Sequence, residues 1–191
     1  MRKRLILLAV VVTAALTAAV VAWAGNPHFR SFSSPTLVDG GGTSAAAAKL
    51  STASAASTAA ADPRVLVDNI VIVGVQEGAI THLTAPFTAA YVCVNGGGNV
   101  PSAANKTVLT GTLSTSATFP AANNGRATGS LLTGPLPSSA EAASANGFSC
   151  PSGQRLEFDR VIFSGLVLSV DGGESVPLDA TLQSASVHGL T

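Results

Sequence analysis

The sequence predicts an all-β protein, an antiparallel β-sandwich that follows a signal peptide and a disordered linker. Short runs rich in Val, Ile, Leu, Thr and Phe recur after residue 63, and clusters of Gly, Asn and Asp separate them. No segment shows a convincing helical period. Roughly seven to nine strands, spaced about ten residues apart, are typical of a sandwich or barrel. The segment 63–191 has an ordinary length for one such domain.

The first 24 residues have the order of a secretory signal peptide. Basic residues 2–4 precede an apolar run over 5–21, and Ala22 and Ala24 flank Trp23 in an A-x-A pattern. This pattern predicts cleavage after Ala24 and a secreted or cell-wall-associated protein. The alternative is a membrane anchor that stays uncleaved, because the apolar run is nearly long enough to span a bilayer.

Residues 25–62 are predicted to form a low-complexity linker. From Gly40 to Asp62, 20 of 23 residues are Ala, Ser, Thr or Gly. Such a segment has little apolar surface to offset the entropy lost on ordering. We therefore divide the chain into a signal peptide (1–24), this linker and a β-sandwich domain (63–191). The linker is a plausible spacer for crossing a cell wall.

The domain reads as a series of strands joined by short turns. Asn124 and Gly125 suit a hairpin turn that needs positive φ, and the Asp-Gly-Gly-Glu run at 171–174 predicts a second hairpin. The predicted strands lie at residues 64–75 (one bent strand or two short ones), 87–94, 107–119, 126–134, 153–170 (two strands broken near Arg160 or Gly165) and up to 187.

The two cysteines predict one disulfide bond. In an oxidising compartment, Cys93 and Cys150 are expected to pair across 56 intervening residues. Tyr91 lies two residues before Cys93, a spacing that also occurs before the second Cys of immunoglobulin domains. Here it precedes the first Cys, and the only Trp lies in the signal region. We therefore expect an immunoglobulin-like architecture but not a true immunoglobulin domain.

Directly after this strand the chain runs through Asn95, Gly96, Gly97, Gly98 and Asn99. These five residues are the candidate binding loop, because consecutive backbone amides in such a loop can grip an anion or a sugar. The alternative is a wide turn. The following Val-Pro supplies neither a helix N-terminus nor the Lys of a phosphate-binding loop.

Several of these motifs together resemble those of a known family. They are YVCVNGGGN, the AANK run at 103–106, the TFP and NNG runs, and FSCPSGQ at 148–154. Over roughly residues 89–163 the chain resembles a family of small uncharacterised secreted actinobacterial proteins with a C-V-N-x-G-G-N…AANK…CP-x-GQ pattern. The resemblance implies an all-β domain with a Cys93–Cys150 bond, and no catalytic residue. The Ala/Ser/Thr segment and an insert before Phe148 depart from the pattern.

Residues able to carry chemistry are sparse. A hydrolase is conceivable through His82 with Asp68 and a serine, or through Glu157 and Asp159, which two-residue spacing places on one face of a strand. No spacing of Cys or His resembles a metal site, and we expect no cofactor. Only 10% of residues are charged, which argues against a nucleic-acid partner.

The sequence therefore predicts a noncatalytic extracellular or cell-surface module. Its partner would be another protein, a wall polymer or its own kind, bound through exposed strand edges. The alternative is a carbohydrate- or cell-wall-binding module that uses the Asn95 to Asn99 loop, although aromatic residues make up only 5% of the chain. A small secreted hydrolase is the third possibility.

Overall fold

A computed structural model describes residues 25–40, 62–101, 105–122 and 124–189. Of these residues 59% are in strands and 6% in helix, so the prediction of an all-β protein is confirmed. The predicted signal peptide, with its cleavage site at Ala22 and Ala24, lies outside the described residues.

Ten strands and one helix make up the described chain. They are β1 His28–Ser31, β2 Thr36–Asp39, β3 Pro63–Val73, β4 Gly78–Asn95, β5 Lys106–Ala122, β6 Arg126–Leu132, α1 Ser139–Asn146, β7 Gln154–Phe163, β8 Leu166–Val170, β9 Ser175–Leu178 and β10 Leu182–Gln183.

The strands form one curled antiparallel sheet, a half-barrel. Its main path is β1-β3-β6-β5-β4-β7-β10, with β2 beside β3 and with β8 joining β4 to β9. One apolar core fills the concave side, and its largest fully buried side chains include Tyr91, Phe163 and Ile70. The expected sandwich of two separate sheets is not observed. The last residues of β5 pair with β6 while the rest of β5 pairs with β4, so hydrogen bonds join the two halves of the sheet.

Strand β4 is the centre of the sheet and runs through Pro86, where the sequence suggested a strand start. One edge of β4 pairs with β5 along most of its length. The other edge pairs with β8 over Thr81–Thr84 and with β7 from Phe87 onward. Pro86 lies in the gap between these two partners, so its missing N–H costs no ladder hydrogen bond.

Strand β3 is a single bent strand, one of the two predicted possibilities. Its register with β6 shifts between Val67 and Ile70. Asn69 lies in the shift with φ of 53°, a left-handed conformation that Asn tolerates better than most residues. The bend allows Val67, Ile70 and Ile72 all to be buried.

The predicted linker is wrong for its first part. Residues 28–31 and 36–39 are strands β1 and β2, and both pair with β3. Leu37 and Val38 are buried, and this burial offsets the cost of ordering a stretch that is otherwise Ser- and Pro-rich. The amide of Gly40 donates to the carbonyl of Asp62 at 2.9 Å, so residues 41–61, which lie outside the described residues, connect two adjacent strands.

Both predicted hairpin turns are confirmed. Gly125, with φ of 70°, joins β5 to β6, and residues 171–174 join β8 to β9. Helix α1 was not predicted. Its N-terminus has a capping box in which Ser138 and Glu141 satisfy each other's backbone N–H groups, and Gly147 ends it in the left-handed conformation.

Candidate functional site

The Asn95 to Asn99 loop is a closed turn. The Asn95 side-chain oxygen accepts the N–H groups of Gly97 and Asn99, both at 3.0 Å. The N–H of Gly98 donates to the Asn95 carbonyl at 2.9 Å. Three consecutive amides are therefore used within the loop. A backbone site for an anion or sugar would need these same donors.

Beside this loop, Cys93 and Cys150 form the predicted disulfide bond, which is confirmed. Cys93 is fully buried near the end of β4, and its partner lies in the segment between α1 and β7. The bond therefore joins the central strand to the helix-containing insert. In the described structure it fixes the end of β4, next to the Asn95 to Asn99 loop, to the segment that leads into β7.

The hypothesis that His82 and Asp68 form a catalytic pair is wrong. His82 Nε2 lies 2.8 Å from Asp171 Oδ1, in the turn after β8. Ser116 on β5 and Ser169 on β8 are directly opposite His82 in the register. Neither serine hydrogen bonds to the imidazole within the described part of the chain, so no nucleophile–base pair is formed. The pair is a solvent-exposed contact on the convex face, worth little in stability.

Glu157 and Asp159 do not form a pair of acids on one regular strand face. The register of β7 with β4 shifts at Asp159: Ala90 faces Arg160, whereas Tyr91 faces Phe158. Asp159 is therefore the extra residue of a β-bulge, which breaks the alternation that the sequence suggested.

The two acids hold the C-terminal segment instead. Asp159, only 2% exposed, accepts the hydroxyl of Ser186 and the amide of His188. Glu157 contacts Arg155, and its Oε2 lies 3.3 Å from His188 Nε2, close enough for an ion pair although the angle does not suit a hydrogen bond. Both acids therefore have a structural role, which is to hold the C-terminal segment against β7.

A small cleft of about 260 Å³ lies between the sheet and the segment that leads into α1. At its base, the Tyr91 hydroxyl donates to the Pro137 carbonyl at 2.6 Å, and its ring meets Phe158 edge-on. Burial raises the pKa of Tyr91 to about 12, and the charge of Glu141 also raises it. The hydrogen bond from Ser138 lowers the pKa of Glu141. The Tyr91 ring is fully buried and offers no face on which a sugar could stack.

The most unusual surface of the molecule is the second edge of β5. From Lys106 to Pro120 one edge of this strand pairs with β4, with no bulge along fifteen residue pairs. Among the described residues, no strand pairs with its other edge until Ala121 and Ala122 meet β6. This unpaired run, here called the β5 edge, is longer than that of any other described strand.

The direction of the backbone groups along the β5 edge follows from the ladder. The Cys93 amide donates to the Asn105 carbonyl at 3.0 Å, and that pair is in register with the β4–β5 ladder. Odd-numbered residues of β5 therefore direct their N–H and C=O groups toward β4, and even-numbered residues direct theirs outward. Consistent with this, the Val108 carbonyl accepts a hydrogen bond from the Asn146 side chain on α1. Within the described ranges, the groups that no strand pairs with belong to Thr110, Thr112, Ser114, Ser116 and Thr118, whose side chains are all exposed.

In the part of the chain that the structure describes, the β5 edge lacks the usual protection against strand addition. Native edges are blunted by charges, prolines, bulges or short length. Strand β9, for comparison, has four residues and contains Pro177, and β10 has only two residues. No charged residue occurs between Lys106 and Arg126, and the first proline of β5 is Pro120. The sequence indicated that strand edges would matter, but only the pairing pattern identifies which edge is open.

No group of three or more His, Cys, Asp or Glu side chains within the described ranges is arranged to hold a metal ion. None of the helices in those ranges is long and apolar enough to cross a membrane. Comparison of the chain with family models, with curated proteins and with solved structures finds no significant match.

Proposed function

We propose that the chain is an exported, noncatalytic binding module that takes up an extended protein segment along the β5 edge. The observation that carries this proposal is the bulge-free, uncharged run from Thr110 to Thr118, whose outward N–H and C=O groups have no strand partner among the described residues. An added strand would satisfy these groups through main-chain hydrogen bonds. The edge is bounded by Asn146 on α1 at one end and by the pairing with β6 at the other.

Export is supported by two features. The N-terminal sequence has the order of a signal peptide, and a disulfide bond between Cys93 and Cys150 is typical of oxidising compartments. The intact mass of protein recovered from culture medium, with and without reduction, tests this part. We expect a chain that begins at Gly25 and takes up two alkyl groups only after reduction. A full-length chain in the membrane fraction would favour the anchor instead.

The neighbouring strands hold the β5 edge in place. Strand β4 is held by β5 on one side and by β7 and β8 on the other, and β5 shares fifteen paired positions with it. A fixed strand loses little conformational entropy when another strand is added, so more of the hydrogen-bond energy appears as affinity.

Binding of a strand-forming peptide tests the proposal directly. The probe is an eight-residue peptide of alternating Thr and Val, and its control carries N-methyl groups on alternate amides, which removes donors without removing side chains. We expect the unmethylated peptide alone to bind and to slow hydrogen exchange at Thr112, Ser114 and Ser116. Equal binding of both peptides, or protection confined to another strand, would contradict the proposal.

The carbohydrate- or wall-binding alternative is distinguished by a separate measurement. Retention of the protein on purified cell wall that is lost in an Asn95→Ala variant, with Ser114→Lys unaffected, would favour the loop over the β5 edge. Asn95 organises the loop by accepting two amides, so this substitution disturbs the loop and leaves β5 unchanged.

A further inference from the structure

We propose that the occupant of the β5 edge is the β5 edge of a second copy of this chain, so that two sheets join across a two-fold axis at Ser114. This inference rests on the proposed function and names its partner. It follows from the symmetry of the edge, from its lack of charge and from the apolar side chains beside it.

The edge is nearly self-complementary. Read in either direction, the outward-facing positions from 110 to 118 give Thr, a hydroxyl residue, Ser114, a hydroxyl residue and Thr. Antiparallel pairing centred on Ser114 places Thr110 against the partner's Thr118 and Thr112 against the partner's Ser116. Cross-strand Thr and Ser pairs are favourable in antiparallel sheets. Five such facing pairs would supply about ten main-chain hydrogen bonds between the copies.

The charges of the chain permit this register. Because no charged residue lies between Lys106 and Arg126, no like charges face each other across the axis. Lys106, the basic residue at the start of β5, would lie outside the paired window, because the register would set it beside the partner's Ala122, which already pairs with β6. The open window from Val108, where Asn146 binds, to Ala121, where β6 begins to pair, has its middle between Ser114 and Thr115, within one residue of the proposed axis.

The concave side of the edge adds apolar contact. Leu109 and Leu113 are half-buried, and their side chains pack against the core on the concave face of β5. In the proposed register Leu113 faces the partner's Thr115 and Leu109 faces the partner's Phe119. Covering these leucines removes further apolar surface from water on association.

Sedimentation of the exported protein over a range of concentrations tests the dimer. We expect a reversible dimer whose dissociation constant rises at least tenfold in Ser114→Lys, because the two new charges would meet at the axis. Thr88→Lys is the matched control. Thr88 is exposed on the same convex face but lies on β4, whose two edges are already paired, so this variant should dimerise like the wild type.

Crosslinking through a new cysteine tests the register independently of any loss of binding. Ser114→Cys places two thiols on a facing hydrogen-bonded pair with Cα atoms about 5.5 Å apart, within disulfide range. Thr110→Cys is on the same face of the same strand, but its counterpart would lie eight residues along, about 27 Å away. We expect oxidation to give a covalent dimer with Ser114→Cys and not with Thr110→Cys.

The outcomes separate this inference from the proposed function. A monomer at every concentration that still binds the Thr/Val peptide along β5 overturns the dimer and leaves the proposed function standing. A monomer that binds no peptide, with slow hydrogen exchange at Ser114, means that another part of the same chain covers the edge, and both proposals fail. A dimer weakened by Thr88→Lys but not by Ser114→Lys uses another face and overturns the inference.

Discussion

Gly129 on β6 lies directly beneath the ring of Phe119 on β5. A β-carbon at residue 129 would lie 2.3 Å from Cε1 of that ring. Phe119 is itself only 5% exposed, so the ring covers the glycine backbone at the point where β5 leaves β6. This contact closes the corner of the half-barrel and requires the absence of a side chain at Gly129.

Substituting Gly129 by Ala therefore forces the Phe119 ring to move within a packed corner. We expect the free energy of unfolding to fall by about 1–3 kcal/mol, the usual cost of overpacking. Gly134→Ala is the matched control, because nothing lies within 4 Å of a β-carbon there. Urea denaturation of the two variants checks the prediction, and equal stability of both would show that the corner can expand without cost.

Removing the Cys93–Cys150 bond should cost a large share of the stability. The bond spans a sequence separation of 57 residues, which in the chain-entropy model corresponds to about 4 kcal/mol. We expect the C93S/C150S double variant to unfold at much lower urea than the oxidised protein. Adding a reductant should lower the midpoint of the wild type and leave that of the variant unchanged. A wild type insensitive to reductant would contradict the role given to this bond.

The ionisation of Tyr91 can be followed directly by absorbance, because it is the only tyrosine in the chain. Burial, together with the charge of Glu141, raises its pKa in the folded protein to about 12, whereas the unfolded value is near 10. The neutral phenol is therefore favoured by folding. Its contribution to stability is full below pH 10 and is lost as the pH rises toward 12.

We expect the absorbance of the folded protein near 295 nm to rise with a midpoint well above pH 10, and the urea-unfolded protein to titrate near 10. A Tyr91→Phe variant has no tyrosine and should show no such rise in either state, and it also loses the hydrogen bond to the Pro137 carbonyl. A folded-state midpoint near 10 would mean that the hydroxyl is open to solvent.

Asp159→Ala should release the C-terminal segment. The variant loses the acceptor for Ser186 and for the His188 amide, at a buried position, and we expect a loss of about 2 kcal/mol. Asp179→Ala is the control, because Asp179 is exposed. Limited proteolysis should cleave after residue 183 faster in the first variant only. Unchanged cleavage in both would show that β10 alone holds the segment.

The parts of the fold that local chemistry determines could be predicted from the sequence. Turns at Asn124-Gly125 and at 171–174 follow from residues that tolerate positive φ, and the disulfide follows from two cysteines in a chain with an export signal. Helix α1 has a local signal of its own: Ser138 is followed three residues later by Glu141, the pattern of a capping box, and Gly147 marks the end.

The remaining features depend on contacts between distant parts of the chain. Strands β1 and β2 are too short to show a period, and only pairing with β3 makes them strands. The bulge at Asp159 moves a carboxylate from its expected face, and His82 contacts Asp171 at the end of the neighbouring strand β8. The open edge of β5 depends on where β6 diverges, which no local pattern of β5 itself encodes.

The hydrogen bond between Gly40 and Asp62 fixes both ends of the segment 41–61 at one point of the sheet, so this segment does not act as a spacer. Residues 41–61 would extend to about 70 Å as a straight chain, but they leave and return at one point of the sheet, so their contour length adds no reach. Three residues, about 10 Å of chain, separate Ala24 from the start of β1. Lengthening or deleting 41–61 would therefore change the connection between β2 and β3 and leave the length of chain between Ala24 and β1 unchanged.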